Sequence, residues 1–312
     1  MPDPTERVRL GRTDLQVTRL GLGTAPLGGL YREVPDEQAE ALLEHAWAAG
    51  LRFFDTAPLY GHGLAERRLG AALRRRPRDE VVLATKVGRL LRGDPPGPVF
   101  DFSERGAQTS FEESLERLGL DRVDVLHVHD PDDHHDEAVA GAYRALDRLR
   151  REGRIRAVGA GMNQSAMLAS FAREAEFDCF LLAGRFTLLD QSGADDLLPL
   201  CRDRGIAVIA GGAFNSGILA DPRPGAPYNY RPAPSELVER AQRLRAVCER
   251  HGVPLGAAAI QFPLRHPAVA AVLVGARSKD ELEEDLRLFR LDVPDALWAD
   301  LARQGLIRDA WS

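Results

Sequence analysis

Short apolar runs recur along the chain, each followed by a longer stretch in which apolar positions return every three or four residues. The runs fall at 19–23, 51–55, 81–86, 123–129, 155–161, 179–183, 206–210 and 270–274. Bounded by turn residues and rich in Val, Ile, Leu and Phe, they predict strands. Between them, "DEQAEALLEHAWAAG" (36–50) places Ala39, Leu42, Leu43 and Ala46 on one helical face and sets Gly50 where a helix stops. "SFEESLERLG" and "DEAVAGAYRALDRLRREG" follow the same scheme, each closed by glycine. Eight strand–helix alternations predict a parallel sheet closed into a (β/α)8 TIM barrel. The competing open sheet needs G-x-G-x-x-G running into a helix, whereas "GLGTAPLGG" runs into turn residues.

Two stretches break the repeat. "VRLGRTDLQVTRL" (8–20) reads as two short strands about the turn at Gly11–Asp14, an N-terminal β-hairpin cap over the bottom of the barrel. The Gly- and Pro-rich segment 211–234 follows the seventh strand, at the face where long barrel loops are usually functional or disordered, and is read as functional. Nothing suggests a second domain, so residues 1–312 are expected to form one barrel.

Composition narrows the function classes. With 44% hydrophobic and 28% charged residues the chain can bury a sizeable core. A net charge of -6 opposes a nucleic-acid footprint, and Arg75-Arg76 and Arg150-Arg151 read as helix C-termini favoured by the dipole. No uninterrupted apolar stretch is long enough to span a membrane, and the N-terminus lacks the apolar region of an export signal. Cys179, Cys201 and Cys248 are widely spaced and odd in number, which points to a reducing, cytoplasmic compartment.

Chemistry in such a barrel sits at the C-terminal ends of the strands. Asp55 ends the second predicted strand, Lys86 the third and His129 the fourth, and Tyr60 lies in the loop after Asp55. A tyrosine titrates near pH 10, too high for acid–base work at neutrality, and a neighbouring ammonium favours its phenolate. Lys86 can supply that charge, Asp55 can hold Lys86, and His129 can donate to an oxygen on the reacting carbon. The set suits proton transfer at an alcohol or carbonyl that exchanges a hydride with a cofactor. Singly, a charged residue at a strand end is usually a surface ion pair; four in consecutive units are harder to dismiss.

These residues resemble the tetrad of the aldo-keto reductases. The resemblance is carried by "FFDTAPLYGHGLAERRLG", "LATK" and "VDVLHVHDP", with His129 rather than His127 in the matching place, and extends from "LGLGT" to "VLVGARSKDELEED". "TAPLGGLYREV", "GAGMNQ" and "AGRFTLLDQ" look most like the bacterial L-fucose and D-threo-aldose 1-dehydrogenases, while relatives acting on pyridoxal or L-galactose share much of this. The resemblance implies an NAD(P)-dependent oxidoreductase acting on a small-molecule aldose or aldehyde, with self-association into a homo-oligomer left open. Aldose oxidation to a lactone is one reading; pyridoxal oxidation and general aldehyde or ketone reduction are others.

The dinucleotide would be held without a Rossmann domain. The resemblance implies contacts from Gly23, Thr24, Asp55 and Asn163, then from Gly211, Phe214, Ser216 and Gly217 after the seventh strand. Beyond the eighth strand it implies Gly275, Arg277, Ser278, Glu281 and Asp285, where a helix N-terminus favours phosphate. Ser278-x-x-Glu281 also reads as a capping box. Members that use NADPH commonly carry a basic residue near position 281; Glu281 implies NAD, with NADP still open because Arg277 is adjacent. Where many members stack a tyrosine on the nicotinamide this chain has Gly211 and Gly212, leaving Phe214 as a substitute, and where a glutamine often stands it has Ala183.

Aromatic residues expected in loops at the mouth, Tyr31, Phe214, Tyr228 and Tyr230, are candidates for the substrate pocket alongside Tyr60 and His129, or else pack the loops onto the barrel. Trp298 and Trp311 are expected to anchor the last helix. "HVHDPDDHHDE" invites a metal-hydrolase reading, but His127 and His129 alone are too few ligands, and "DDHHDE" suits a polar loop and helix start. No metal is expected. A non-catalytic cofactor-sensing subunit is opposed by the intact tetrad.

Overall fold

A computed structural model describes residues 2–308 apart from Tyr31 and Tyr230. Eight parallel strands close into a barrel in sequential order: β1 Leu20–Gly23, β2 Phe53–Asp55, β3 Val82–Val87, β4 Val125–His129, β5 Ala157–Met162, β6 Cys179–Ala183, β7 Ala207–Gly211 and β8 Val269–Val274. All eight coincide with the apolar runs to within a residue or two. Around them pack α1 (Asp36–Ala48), α2 (Leu64–Leu73), α3 (Glu104–Leu118), α4 (Tyr143–Arg151), α5 (Ser165–Glu174), α6 (Leu197–Arg204), α7 (Ser235–Arg250), α8 (Leu255–Gln261), α9 (Lys279–Arg290) and α10 (Asp295–Arg303). Helix α4 continues a π-helical turn at Ala138–Ala142.

Strand alternation creates two cores. Phe53, Val82, Ala84, Val125, Ala157, Cys179, Leu181 and Ile209 fill the barrel, whereas Phe54, Leu83, Leu126, Val158 and Phe180 meet the helices. The predicted hairpin is present, with Arg7–Arg9 antiparallel to Gln16–Thr18, and its Leu10, Leu15 and Val17 join the inner core. Gly11, at φ +57°, brings the turn so close to the starts of β6 and β7 that a Cβ there would lie 2.6 Å from the Asp178 carbonyl oxygen. This closes the bottom and leaves the opposite end as the mouth.

Carboxylates outside the barrel pin its register. Asp124, ahead of β4, accepts from the Leu83 amide at 2.8 Å and from Arg78 at 2.7 Å. Asp178 does the same for the Val158 amide and Arg150, so the cluster at 150–151 has a structural partner as well as a helix end to occupy. Buried Glu66 accepts from Thr85 at 2.7 Å and from Arg117 at 2.5 Å, joining α2, α3 and the strand residue beside Lys86.

Two further hairpins were not evident from the sequence pattern: Arg89–Arg92 with Gly97–Phe100 after β3, and Pro227–Tyr228 with Arg231–Pro232 inside the long loop. Trp298 is buried against Phe262 beneath α10, and Trp311 lies outside the described residues. All three cysteines are buried free thiols. Among the described residues no helix is long and apolar enough to cross a membrane.

Candidate active site

The uppermost inward positions of the strands divide the mouth in two. Strands β2, β3 and β4 present Asp55, Lys86 and His129, all buried. Strands β1, β5, β6 and β7 present Gly23, Gly161, Ala183 and Gly211 at matching heights, paired in register as Gly23 with Asp55, His129 with Gly161, and Ala183 with Gly211. Polar groups thus line one side, and the other is emptied of side chains. A Cβ at Gly161 would stand 3.6 Å from Lys86 Cε, so any larger side chain would fill the space beside the ammonium.

Lys86 Nζ donates to Asp55 Oδ1 at 2.5 Å and to the Thr56 carbonyl at 2.9 Å. Burial works against its charge, but Asp55 and Tyr60 outweigh it and hold the ammonium above its ordinary pKa. Burial raises Asp55 in turn, against the pull of Lys86. Asp55 Oδ2 is buried without a partner, an acceptor left over for a ligand hydroxyl. The Asp55 carbonyl accepts from both the Thr24 amide and its hydroxyl, which ties the end of β1 to the end of β2.

Tyr60 stands on the turn after β2. That turn packs on Ala25–Gly28 so closely that a Cβ on Gly28 would lie 2.4 Å from the Tyr60 carbonyl carbon, and one on Gly61 would lie 2.4 Å from the Gly28 oxygen. The two glycines thereby fix where the phenol enters the mouth. Its ring centroid is 5.0 Å from Lys86 Nζ and 5.9 Å, edge-on, from the His129 ring. Burial pushes Tyr60 up to about 12 although Lys86 draws it down. The sequence argument, which counted only the ammonium, is corrected in sign: desolvation is the larger effect.

His129 is held neutral, well below its ordinary pKa, by burial and then by Lys86. His127, one layer deeper, is pushed down to about 3 for the same reasons, and neither of its ring nitrogens has a partner. A Cβ on Gly159 would come within 2.2 Å of His127 Nδ1, so this glycine makes room for the buried imidazole. Among the described residues no group of three or more His, Cys, Asp or Glu could hold a metal ion.

The chain belongs to the aldo/keto reductase family. That family's model matches residues 19–303. A pyridoxal 4-dehydrogenase from Microbacterium luteolum is 44% identical over 97% of this chain and 98% of its own length. A D-threo-aldose 1-dehydrogenase from a Pseudomonas species is likewise 44% identical, over 94% and 95%. The holo form of an aldo-keto reductase from Bacillus halodurans superposes with a TM-score of 0.80 at 27% identity, covering 99% of this chain and 98% of that one. Membership makes the chain an NAD(P)-dependent oxidoreductase.

The structure also places the residues expected at the dinucleotide. Thr24 and Gly23 border the emptied half of the mouth, and Asn163 follows β5 directly. After β7, Asn215, Ser216 and Gly217 are consecutive left-handed residues, at φ +47°, +63° and +112°, and Asn215 Oδ1 is buried without a partner. Phe214 packs on the outer core, its ring 3.8 Å from a Cβ built on Gly256. Beyond β8, Gly275 leads to Ser278, whose Oγ accepts from the Glu281 amide at 3.2 Å. The capping box is altered: Glu281 turns back to the Arg277 amide at 2.8 Å rather than to Ser278, and pairs with the Arg277 guanidinium at 2.7 Å. Asp285, a turn further on, is pushed up to about 7 by burial and by Glu281 and Glu284. A bare mouth, left-handed backbone and a capped helix N-terminus suit an extended anionic cofactor.

Of the aromatic candidates, Tyr228 is half-buried with its hydroxyl 3.5 Å from Asp190 Oδ2, tying the long loop to the segment after β6. Tyr31 and Tyr230 lie outside the described residues. The sequence reading passed over Arg89, Phe100 and Asp130, which the structure gathers beside His129. "GDPPG" at 93–97 between apolar residues was the signal for the hairpin that brings two of them there.

Proposed function

We propose that the protein oxidises the anomeric hydroxyl of an aldose of the L-fucose or D-threo-aldose type to a lactone, with NAD as the acceptor. The observation that carries this is the buried Lys86–Asp55 pair beneath Tyr60, with neutral His129 edge-on to the phenol. Tyr60 Oη takes the proton of the anomeric hydroxyl. Lys86 stabilises the phenolate that accepts this proton and becomes the phenol, Asp55 keeps Lys86 charged and aimed, and His129 donates to the substrate oxygen. A bound nicotinamide supplies the two-electron acceptor for the hydride leaving the same carbon. In reduction the proton returns from Tyr60, whose raised pKa keeps the phenol protonated at neutral pH.

Gly23, Thr24, Asn163 and the segments 211–217 and 275–285 would hold the dinucleotide. The Arg277–Glu281 pair supports NAD over NADP: the guanidinium already has its counter-charge, and Glu281, despite burial, is held below its ordinary pKa by Arg277. An ionised carboxylate there repels a 2′-phosphate.

A second reading, pyridoxal oxidation, is favoured by the equal identity of that relative. Both are tested by following reduced-cofactor formation from L-fucose, D-arabinose, L-galactose and pyridoxal with NAD and with NADP. The proposal expects an aldose with NAD to give the highest kcat/KM. Turnover confined to pyridoxal, or a clear NADP preference, would overturn the corresponding part.

A further inference from the structure

Arg89, Phe100 and Asp130 stand at the mouth and take no part in the proton path above. Arg89 opens the hairpin inserted after β3 and reaches back across the end of β4. Its Nη2 donates to Asp130 Oδ2 at 3.0 Å and to the Asp130 carbonyl at 3.3 Å, and its Nε to the His129 carbonyl at 3.4 Å. Phe100, half exposed at the other end of the hairpin, has this guanidinium 5.1 Å from its ring centroid.

Asp130 turns the chain at φ +38°, a left-handed conformation that aspartate tolerates better than most residues, while its amide donates to the Gly161 carbonyl at 3.0 Å. The turn swings its carboxylate to the mouth. Oδ2 comes to rest 3.5 Å from His129 Nε2, and the side chain keeps 30% exposure beside a histidine of 6%. Oδ1 accepts from no described residue. His129 Nδ1 is buried and unpartnered, so Nε2 is the nitrogen that meets both Asp130 and the opening.

We infer that Asp130 is a specificity-determining residue that accepts a hydrogen bond from the hydroxyl on the carbon next to the reacting one. The substrate class is then an α-hydroxy carbonyl compound and its reduced or hemiacetal form, and Arg89 is the positioning residue that holds the carboxylate. The inference rests on the reading above only in placing His129 beside the reacting oxygen. An oxygen bound at Nε2 and one bound at the adjacent carboxylate are neighbours, as oxygens on adjacent carbons must be. The same carboxylate repels the aryl oxide of pyridoxal, which stands ortho to the ring carbon bearing the reacting group, so it separates two substrate types that overall identity leaves level. A site built to bond a hydroxyl also discriminates strongly against the analogue that lacks it.

Reduction of lactaldehyde and of propanal, which differ only in that hydroxyl, tests this with kcat and KM resolved for wild type, Asp130→Ala and Asp130→Asn. The expected wild-type preference for lactaldehyde is about tenfold or more in kcat/KM, the scale of a hydrogen bond to a charged group. In Asp130→Ala the ratio falls close to one, with the loss on lactaldehyde carried mainly by KM. Asp130→Asn, which keeps the shape and one acceptor oxygen, retains an intermediate ratio and guards against a folding defect. Equal losses on both aldehydes, or a wild type without the preference, would overturn the inference. Should the preference depend on Asp130 while no aldose yields a lactone, the inference stands and the aldose reading fails.

Discussion

Lys86 bears the heaviest electrostatic load in the mouth, because Tyr60 pays the desolvation of the same cavity and only the ammonium opposes it. With Tyr60 pushed up to about 12, its phenolate is scarce at neutral pH, so oxidation should accelerate with pH throughout the range below that value. Lys86→Met removes the opposing charge, moves the profile to still higher pH, and should slow oxidation at pH 9 by about 10²–10³-fold, within the usual range for acid–base assistance. Reduction, which uses the protonated phenol, should suffer less. The pH dependence of kcat/KM in both directions checks this, and an unshifted oxidation profile would count against the role given to Lys86. At this scale the tetrad was legible in the sequence because three of its members end apolar runs and the fourth follows one. Asp130 was not legible: its role depends on a left-handed turn and on a guanidinium supplied from a hairpin residue 41 positions earlier.

Helix α9 shows what an element adds to its residues. The sequence correctly marks Ser278 as its cap, yet Glu281 leaves the expected reciprocal bond for Arg277, since a guanidinium and an amide together outcompete one amide. Asp285 is left among carboxylates, with no hydrogen-bond or ion-pair partner among the described residues. Its pKa of about 7 lies above the ordinary 3.8, so the folded chain keeps a proton that the unfolded chain has lost. Stability therefore falls as pH rises from about 4 to 7, and the loss is complete above that range. Asp285→Asn should raise the melting temperature at pH 8, by about 2 kcal/mol of stability after allowance for its partial exposure, and the gain should vanish near pH 4. Equal gains at both pH values, or none at pH 8, would contradict the assignment.

Across the whole molecule, function follows from an uneven barrel. Three adjacent strands present ionisable groups at their uppermost inward positions, four others present glycine or alanine there, and the hairpin beneath seals the far end. Strand number and order were readable because a parallel strand buried on both faces leaves a continuous apolar run, and the bottom cap because short strand-like runs flank the turn at Gly11–Asp14. The two small mouth hairpins were harder to read, since their two- to four-residue strands leave no such run and only the turn at 93–97 marks the first of them. Where Phe214 points was equally hidden: its neighbours in sequence are alanine and asparagine, and only the packing of α8 draws its ring to the outer core. The empty half of the mouth, by contrast, could have been read from the glycines and alanine at or next to the ends of β1, β5, β6 and β7, once those strands were known to close one barrel with the tetrad.

The central claim is that Tyr60 moves the proton while the rest of the mouth binds and orients. The most direct measurement is aldose oxidation by Tyr60→Phe, followed as reduced-cofactor formation, with dinucleotide affinity measured by fluorescence on the same preparation. The account predicts a fall in kcat of about 10²–10⁴-fold with cofactor affinity retained. Near-normal turnover in that variant would contradict it.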